Sequence, residues 1–475
     1  MMDNMSDAER IFREAGASEE WFTPADGAAA DRHDAEPPEY SDDALALSFT
    51  ERHMGQLLHV PEWGAWLHWD GTRWAFDKTL AVFDLARVIC REAAAKAANR
   101  ARGGQEYNVA KLASSQKVAA VERLARADRR HARAADAFDA DPWALNTPAG
   151  VVDLKTAQTR EHRRNDDLFT KVTAVAPGGD CPRWLRFLAE ITQGDAEMVG
   201  YLHRWCGYAL TGSTRDHAFL FLYGPGGNGK SVLLNTMAHV LGDYATTADM
   251  ELFTVGNGNS HPTGLADLRG ARLVLAQETE QGRALAEAKI KAMTGGDKIK
   301  ARFMRQDFFE FQPVFKLVMA GNHRPVIRNP DDAMRRRLHL LAMTYKPPAP
   351  DRDLQAALLA EAPGILAWAI EGCMAWQREG LGICEAMATA TADYFAEQDL
   401  MAQWLAERCE PVRNSEVPSS ALFRDWQTWA TGHGEQPGTG KGFSAALERF
   451  HAKRRAKSGV MFIGLRLKPN DTGAF

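Results

Sequence analysis

The sequence predicts an α/β chain whose centre is a parallel sheet carrying a phosphate-binding loop. Three apolar runs predict it, at residues 218–223, 271–276 and 315–320, each short enough for a buried strand and each ending in polar or glycine-rich residues. The first run leads directly into Gly224-Pro225-Gly226-Gly227-Asn228-Gly229-Lys230-Ser231, a complete G-x-x-x-x-G-K-S pattern, and then into a helical pattern over residues 232–241. A strand feeding a glycine-rich turn and a helix aims several backbone N–H groups and the positive helix end at one point, where a triphosphate satisfies them. The glycines admit phosphate without a Cβ clash, Lys230 can reach the β and γ phosphates, and the Ser231 hydroxyl can ligate Mg²⁺. The expected ATP-binding set is therefore Gly224 to Ser231 with Val232, and the expected cofactors are ATP and Mg²⁺.

The second run ends in Gln277-Glu278-Thr279-Glu280. Carboxylates at the C-terminal end of such a strand sit beside the phosphate loop, where one acid can hold Mg²⁺ and another can polarise the attacking water. Glu278 is favoured over Glu280 because it is nearer the strand end; the bland alternative for either is a solvated acidic turn. The third run ends in Gly321-Asn322-His323-Arg324-Pro325, and the Asn322 amide is the candidate sensor of a γ-phosphate or attacking water. Downstream, Arg335-Arg336-Arg337 precede an apolar stretch. An arginine at a subunit boundary can stabilise γ-phosphate charge in trans, Arg337 first and Arg336 second; a solvated or nucleic-acid-facing patch is the alternative.

Between the second and third runs, Lys298-Ile299-Lys300-Ala301-Arg302-Phe303 alternates basic with apolar residues, breaks at Arg305-Gln306-Asp307, and resumes with aromatics up to Phe311, which predicts a hairpin. Its basic face, Lys298, Lys300, Arg302 and Arg305, suits nucleic-acid phosphates; a lysine-protected sheet edge is the alternative.

With these elements in this order, the chain resembles the superfamily 3 helicases, specifically the satellite-phage and poxvirus type of primase-helicase. The resemblance includes Glu278-Thr279-Glu280, the block from Lys291 to Asp297, the block from Phe311 to Pro325 with its Asn322, and Arg336-Arg337. Upstream, Trp63-Gly64-Ala65-Trp66-Leu67 with Gly71-Thr72-Arg73-Trp74 looks like the start of the family's helicase-associated domain, and residues 145–154 like its later part. Cys181-Pro182-Arg183-Trp184 and the helix at 201–210 match the family's approach to the ATPase, so the resemblance covers most of residues 50–345. It implies an AAA+ core in a ring, usually a homo-hexamer, translocating 3′ to 5′ on single-stranded DNA with hairpins in the channel. Members are often fused to an N-terminal primase, for which this chain has no room, so priming is expected from a separate primase or polymerase. Asp139-Ala140-Asp141 has the spacing of a two-metal site but falls just before residues 145–154 and reads as a turn into that domain.

Composition agrees. The net charge of −5 divides unevenly: residues 1–50 hold 13 Asp or Glu against 3 Arg, leaving the remainder at +5. The acidic, Ala- and Pro-rich start is expected to be a disordered tail over residues 1–48. A mainly α (α+β) helicase-associated domain is expected at 49–195, the ATPase core at 196–346, a helical extension at 347–398, and a winged-helix-like module at 399–475. In the last, a helix over 444–457 is expected to carry Lys453, Arg454, Arg455 and Lys457 where a recognition helix lies. Residues 81–135 read as helices interrupted at Gly103-Gly104, with Arg123, Arg126, Arg129, Arg130 and Arg133 near helical spacing as either a DNA-guiding collar or a solvated face. The six cysteines form no C-x-x-C pair and read as reduced thiols. No apolar run approaches ~20 residues and no signal peptide is visible, so the expected location is the host-cell cytoplasm, without a membrane partner. The reading is an ATP-dependent replicative DNA helicase of a phage, prophage or plasmid, acting on single strands and forked duplex. A non-unwinding ATPase such as a loader or packaging factor, and an origin-binding initiator switched by ATP, are the alternatives.

Overall fold

The computed structural model describes residues 36–101, 108–256, 262–277, 283–304, 307–328, 331–457 and 459–469. Most of the expected acidic tail, Gly103-Gly104, Glu278, Glu280 and Arg305 lie outside the described residues.

The chain clusters into two compact units. The first, Met1–Met54 with Asp77–Ala132, is helical: α1 (Asp42–His53), α2 (Ala81–Ala101), α3 (Val109–Leu112) and α4 (Ser115–Ala127). Serines start two of these helices, Ser41 accepting from the Ala44 amide at 3.1 Å and Ser114 from the Lys117 amide at 3.3 Å, each satisfying a donor the helix leaves unpaired. Phe49, Ile89, Cys90, Val118 and Val121 are buried in this unit. The expected basic helix face does not form. Helix α4 ends at Ala127 and is followed by Asp128, which accepts from the Arg130 guanidinium at 2.7 Å, while Arg126 bonds Glu122 at 2.6 Å, so the arginines split between a helix and the loop after it.

The second unit, Gly55–Phe76 with Arg133–Phe475, contains two small antiparallel sheets, β1 (Leu57–Val60), β2 (Ala65–Trp69), β3 (Trp74–Phe76) and β4 (Ala144–Thr147), β5 (Gly150–Asp153), β6 (Gln158–Arg160). Asp139-Ala140-Asp141 is the expected turn: Asp139 accepts from the Thr170 amide at 3.0 Å and Asp141 from the Trp143 amide at 2.8 Å. Helices α5 (Pro182–Ile191) and α6 (Ala196–Leu210) then lead to the main sheet.

That sheet is built from β7 (Phe219–Tyr223), α7 (Lys230–Leu241), β8 (Ala245–Thr247), α8 (Pro262–Ala266), β9 (Leu273–Gln277), α9 (Glu287–Gly295), the hairpin β10 (Ile299–Ala301) and β11 (Phe309–Phe311), β12 (Lys316–Gly321), α10 (Asp332–Arg337) and β13 (Leu338–Ala342). Five strands pair in parallel in the order β13-β7-β12-β9-β8. Alternation along β7 sends Leu220 and Leu222 to one core with Trp184, Phe187, Tyr201 and Leu233, and Phe219 and Phe221 to another with Ile290, Ile299, Phe311 and Tyr394. Covered on both faces, these strands read as continuous apolar runs, which is why the sequence exposes them. The observed strands sit one or two residues C-terminal to the expected runs at β9 and β12.

Helices α11 (Leu354–Ala360), α12 (Ala362–Glu379) and α13 (Glu385–Gln398) follow, and α12 buries Ile365, Leu366, Ala369, Cys373 and Trp376 against the first core. No single helix among the described residues is long and apolar enough to cross a membrane. The chain ends with α14 (Leu400–Arg408), β14 (Cys409–Pro418), α15 (Ser419–Gly432), α16 (Gly440–Leu447), β15 (Lys453–Ala456) and β16 (Gly459–Leu467), the strands pairing antiparallel in the order β14-β16-β15. One expectation fails here. The helix ends at Leu447, and Lys453-Arg454-Arg455 lie on edge strand β15, paired with Phe462, Met461 and Val460; β14, a strand for which no expectation was stated, pairs with the other edge of β16. All six cysteines are free and buried.

Candidate functional site at the C-terminal ends of the sheet

The register of the main sheet brings three strand ends to one level. Gly321 of β12 pairs with Tyr223 of β7, and Ala320 pairs with Gln277 of β9. The glycine loop after Tyr223, the Asn322 turn after Gly321, and the chain leaving Gln277 toward Glu278 therefore start side by side. Strand β12 lies between the other two, so the acid-bearing strand is two strands from the loop, about 10 Å away, and is not its direct neighbour. Parallel sheets place ligands in such a crevice beyond their C-terminal ends.

The loop is fixed from both sides. Gly224, at φ 145°, lies so close to β13's end that a Cβ would stand 2.1 Å from the Met343 carbonyl oxygen. Only glycine fits that approach. The Asn228 side-chain amide donates to the same carbonyl. Beneath Gly229, a left-handed residue that starts α7, Ile191 and Phe187 of α5 would meet a Cβ at 2.9 and 3.1 Å.

Lys230 is buried, and its ammonium donates to the Gly224 carbonyl at 2.6 Å, the Pro225 carbonyl at 3.2 Å and Asn228 Oδ1 at 3.0 Å. Burial lowers its pKa from the ordinary lysine value. The backbone amides of Gly226, Gly227 and Gly229 meet no acceptor among the described residues, and a Cβ on Gly226 would touch nothing within 4 Å. Ser231 is exposed at the first turn of α7. Open donors, a helix start and a desolvated ammonium make an anion cradle. No group of three or more potential metal-ligating side chains occurs among the described residues.

Asn322 is exposed at the end of β12. The arginines lie elsewhere. Helix α10 enters β13 at Leu338, which pairs with Phe219 at the start of β7, whereas the loop follows its last residue. Arg336 is exposed, with Nε on the Asp332 carbonyl at 3.3 Å. Arg337 is half-buried; it donates to the Ala333 carbonyl at 3.1 Å, and its Nε has no acceptor among the described residues.

The expected hairpin forms, with Ile299 opposite Phe311, Lys300 opposite Glu310 and Ala301 opposite Phe309. Ile299 and Ala301 are buried while Lys298 and Lys300 are exposed, as alternation requires. Toward its tip Lys300 and Arg302 lie 5.1 and 4.9 Å from the ring of Phe308, which like Met304 is exposed.

Two buried cations escaped sequence reasoning. Lys316, at the start of β12, bonds the carbonyls of Thr211, Ser213 and Val314; Arg272, just before β9, bonds those of Leu210, Asp141 and Ala144. Both tie the base of the sheet to the chain that enters β7. Burial holds the Lys316 pKa well below the usual range.

Residues 33–193 match the family model described as D5 N terminal like, and residues 222–337 match a family of unknown function (DUF5906). The chain is 32% identical over 162 residues to a helicase candidate of Acanthamoeba polyphaga mimivirus, covering 34% of this chain and 17% of that one. It is 27% identical over 285 residues to a helicase candidate of Frog virus 3, covering 54% and 29%. The chain is of the superfamily 3 primase-helicase type. It spans less than a third of the length of these curated relatives. The A form apo structure of the NrS-1 C terminal region (305–718) shares the fold, with a TM-score of 0.51 at 10% identity, covering 90% of this chain and all of that one.

Proposed function

We propose that this superfamily 3 protein is an ATP-dependent replicative DNA helicase of a phage, prophage or plasmid, working as a ring, with ATP held at Gly224–Ser231. The observation that carries the reading is the shared level of three strand ends, which groups the donor-rich loop, the Asn322 turn and the exit of the chain toward Glu278. Phosphoryl transfer needs positioning and charge compensation more than covalent chemistry, and this arrangement supplies both. Lys230 faces the β and γ phosphates, Asn322 orients the γ-phosphate or water, and Glu278 polarises the water, with Glu280 as its alternate. Mg²⁺ held by Ser231 with Glu278 would supply further charge compensation. An arginine of α10 completes the site of a neighbouring subunit.

The hairpin couples hydrolysis to movement. Its buried face joins the same core as Phe219 and Phe221 of β7, so a shift of the sheet reaches Lys298, Lys300 and Arg302 through packed side chains. The C-terminal order of helix, strand, two helices and two strands supports the winged-helix reading, now with Lys453-Arg454-Arg455 on the wing. That module favours, as second reading, an initiator that also recognises an origin.

Strand displacement on a forked duplex tests the proposal. Lys230→Ala, and Lys230→Met which keeps the buried stem, should lower ATP hydrolysis about a hundredfold or more and stop unwinding. Wild-type turnover in a folded variant refutes the site. Hydrolysis without unwinding in the wild type supports the loader or switch instead.

A further inference from the structure

A second site lies outside the sheet crevice. A cavity of about 480 Å³, open to solvent, is lined by Trp69 at the end of β2 and by Arg163, Arg164, Asn165 and Asp166. Trp69 is half-buried, its ring braced edge-on by Trp74 at 5.6 Å and His162 at 6.4 Å. Opposite it, the turn is held by buried Asp167, whose carboxylate accepts from the Arg160 guanidinium at 2.6 and 2.8 Å and from the Arg163 amide at 2.7 Å. The amides of Asp166 and Asp167 both donate to the Arg163 carbonyl. The turn is thereby fixed with exposed side chains at 163–166.

What distinguishes the cavity is its unused charge. Nearby Arg160 and Arg73 are engaged, the first with Asp167 and the second with Asp70 and Asp243. The guanidiniums of Arg163 and Arg164 have no carboxylate within ion-pair distance among the described residues, although Asp166 stands in the same turn. An aromatic ring beside uncommitted guanidiniums is the chemistry of sequence-tolerant single-strand binding: any base offers a π-face, and each backbone phosphate one charge. Two arginines against one aspartate leave one net positive charge. That balance suits one nucleotide of a strand and disfavours a free triphosphate, which brings several negative charges past Asp166.

We propose that this cavity binds one nucleotide unit of single-stranded nucleic acid, its base on Trp69 and the flanking phosphates on Arg163 and Arg164. The proposal rests on the helicase reading and adds a strand contact remote from the hairpin in sequence. It is tested by anisotropy of a labelled oligothymidylate with the full chain across a salt series, with thermal melts as the folding control. Trp69→Ala should weaken binding about tenfold and Trp69→Phe much less. Arg163→Ala and Arg164→Ala should each flatten the salt slope by about 0.7. If all these variants bind like wild type while alanines at Lys298, Lys300 and Arg302 abolish binding, the cavity is no strand site and the helicase reading stands. If the wild type binds no oligothymidylate, both fall. Photo-crosslinking of ATP to the Trp69 peptide in the Lys230→Ala protein would identify a free nucleotide as the occupant and overturn the strand proposal.

Discussion

Arg336 and Arg337 can serve the proposed ATP site only in a neighbouring subunit, because the sheet holds both at the end opposite their own loop. Leu338 pairs with Phe219 and Ala342 with Tyr223, so Arg336 and Arg337 precede the start of a strand whose far end meets the loop. At roughly 3.3 Å per residue, about 15 Å of strand separates them. Mixing Lys230→Ala with Arg336→Ala or Arg337→Ala protomers therefore tests the ring itself. Each homomeric variant should be inactive. In a random equal mixture, an interface works when an intact loop meets an intact arginine, a chance of one half for each, so ATPase should recover to about a quarter of wild type if sites act independently. Residue order favours Arg337, whereas exposure favours Arg336; the mixture that recovers names the residue. Steady-state hydrolysis on mixtures reassembled from separated protomers reads the result. Absence of recovery in both, with mixed oligomers verified by native mass spectrometry, refutes a trans arginine.

Three further expectations follow from the site and its frame. Glu278→Gln keeps the side chain's size but removes the charge that polarises water, so it should bind Mg-ATP and hydrolyse it slowly; a defect in Glu280→Gln alone exchanges the two roles. Alanines at Lys298, Lys300 and Arg302 should collapse DNA stimulation and unwinding while leaving Ile299 and Ala301 in their core, and a triple variant that unwinds forks normally makes the hairpin a protected edge. His339 on β13 is buried against the Tyr201 hydroxyl at 2.7 Å, and burial pushes its pKa down to about 4. The folded state then binds fewer protons than the unfolded state between pH 6.5 and 4, so this stability is fully present above 6.5 and lost as pH falls, by about 2 kcal/mol at pH 5. Urea unfolding from pH 7.5 to 5 should show this loss in the wild type and much less of it in His339→Gln; equal slopes would sink the assignment.

The parts of this molecule legible in its sequence are those whose physics is local. Strands buried on both faces must be apolar throughout, so β7, β9 and β12 announce themselves, and the hairpin does so through its alternation. The glycine loop is legible for a similar reason, since the residues that open it to an anion are consecutive. Misreadings begin where a distant partner decides. Residues 444–457 are rich in helix formers, yet Lys453 to Ala456 extend because β16, anchored by buried Phe462 and Leu465, offers an edge. Strand β14 alternates between half-buried and exposed residues and exists through the other edge of β16. The same holds within the site: no local pattern marks Met343, yet its carbonyl faces Gly224 and Asn228, and it is the parallel pairing of β13 with β7 that brings it there. Lys316 sits inside an apolar run where its charge argues against burial. It is tolerated because the chain before β7 turns the Thr211 and Ser213 carbonyls toward it, beside that of Val314, an arrangement set by tertiary folding. The loop's chemistry is thus written in eight adjacent residues, while its rigidity comes from α5, β13 and the buried base of the sheet, which the sequence disperses over more than a hundred positions.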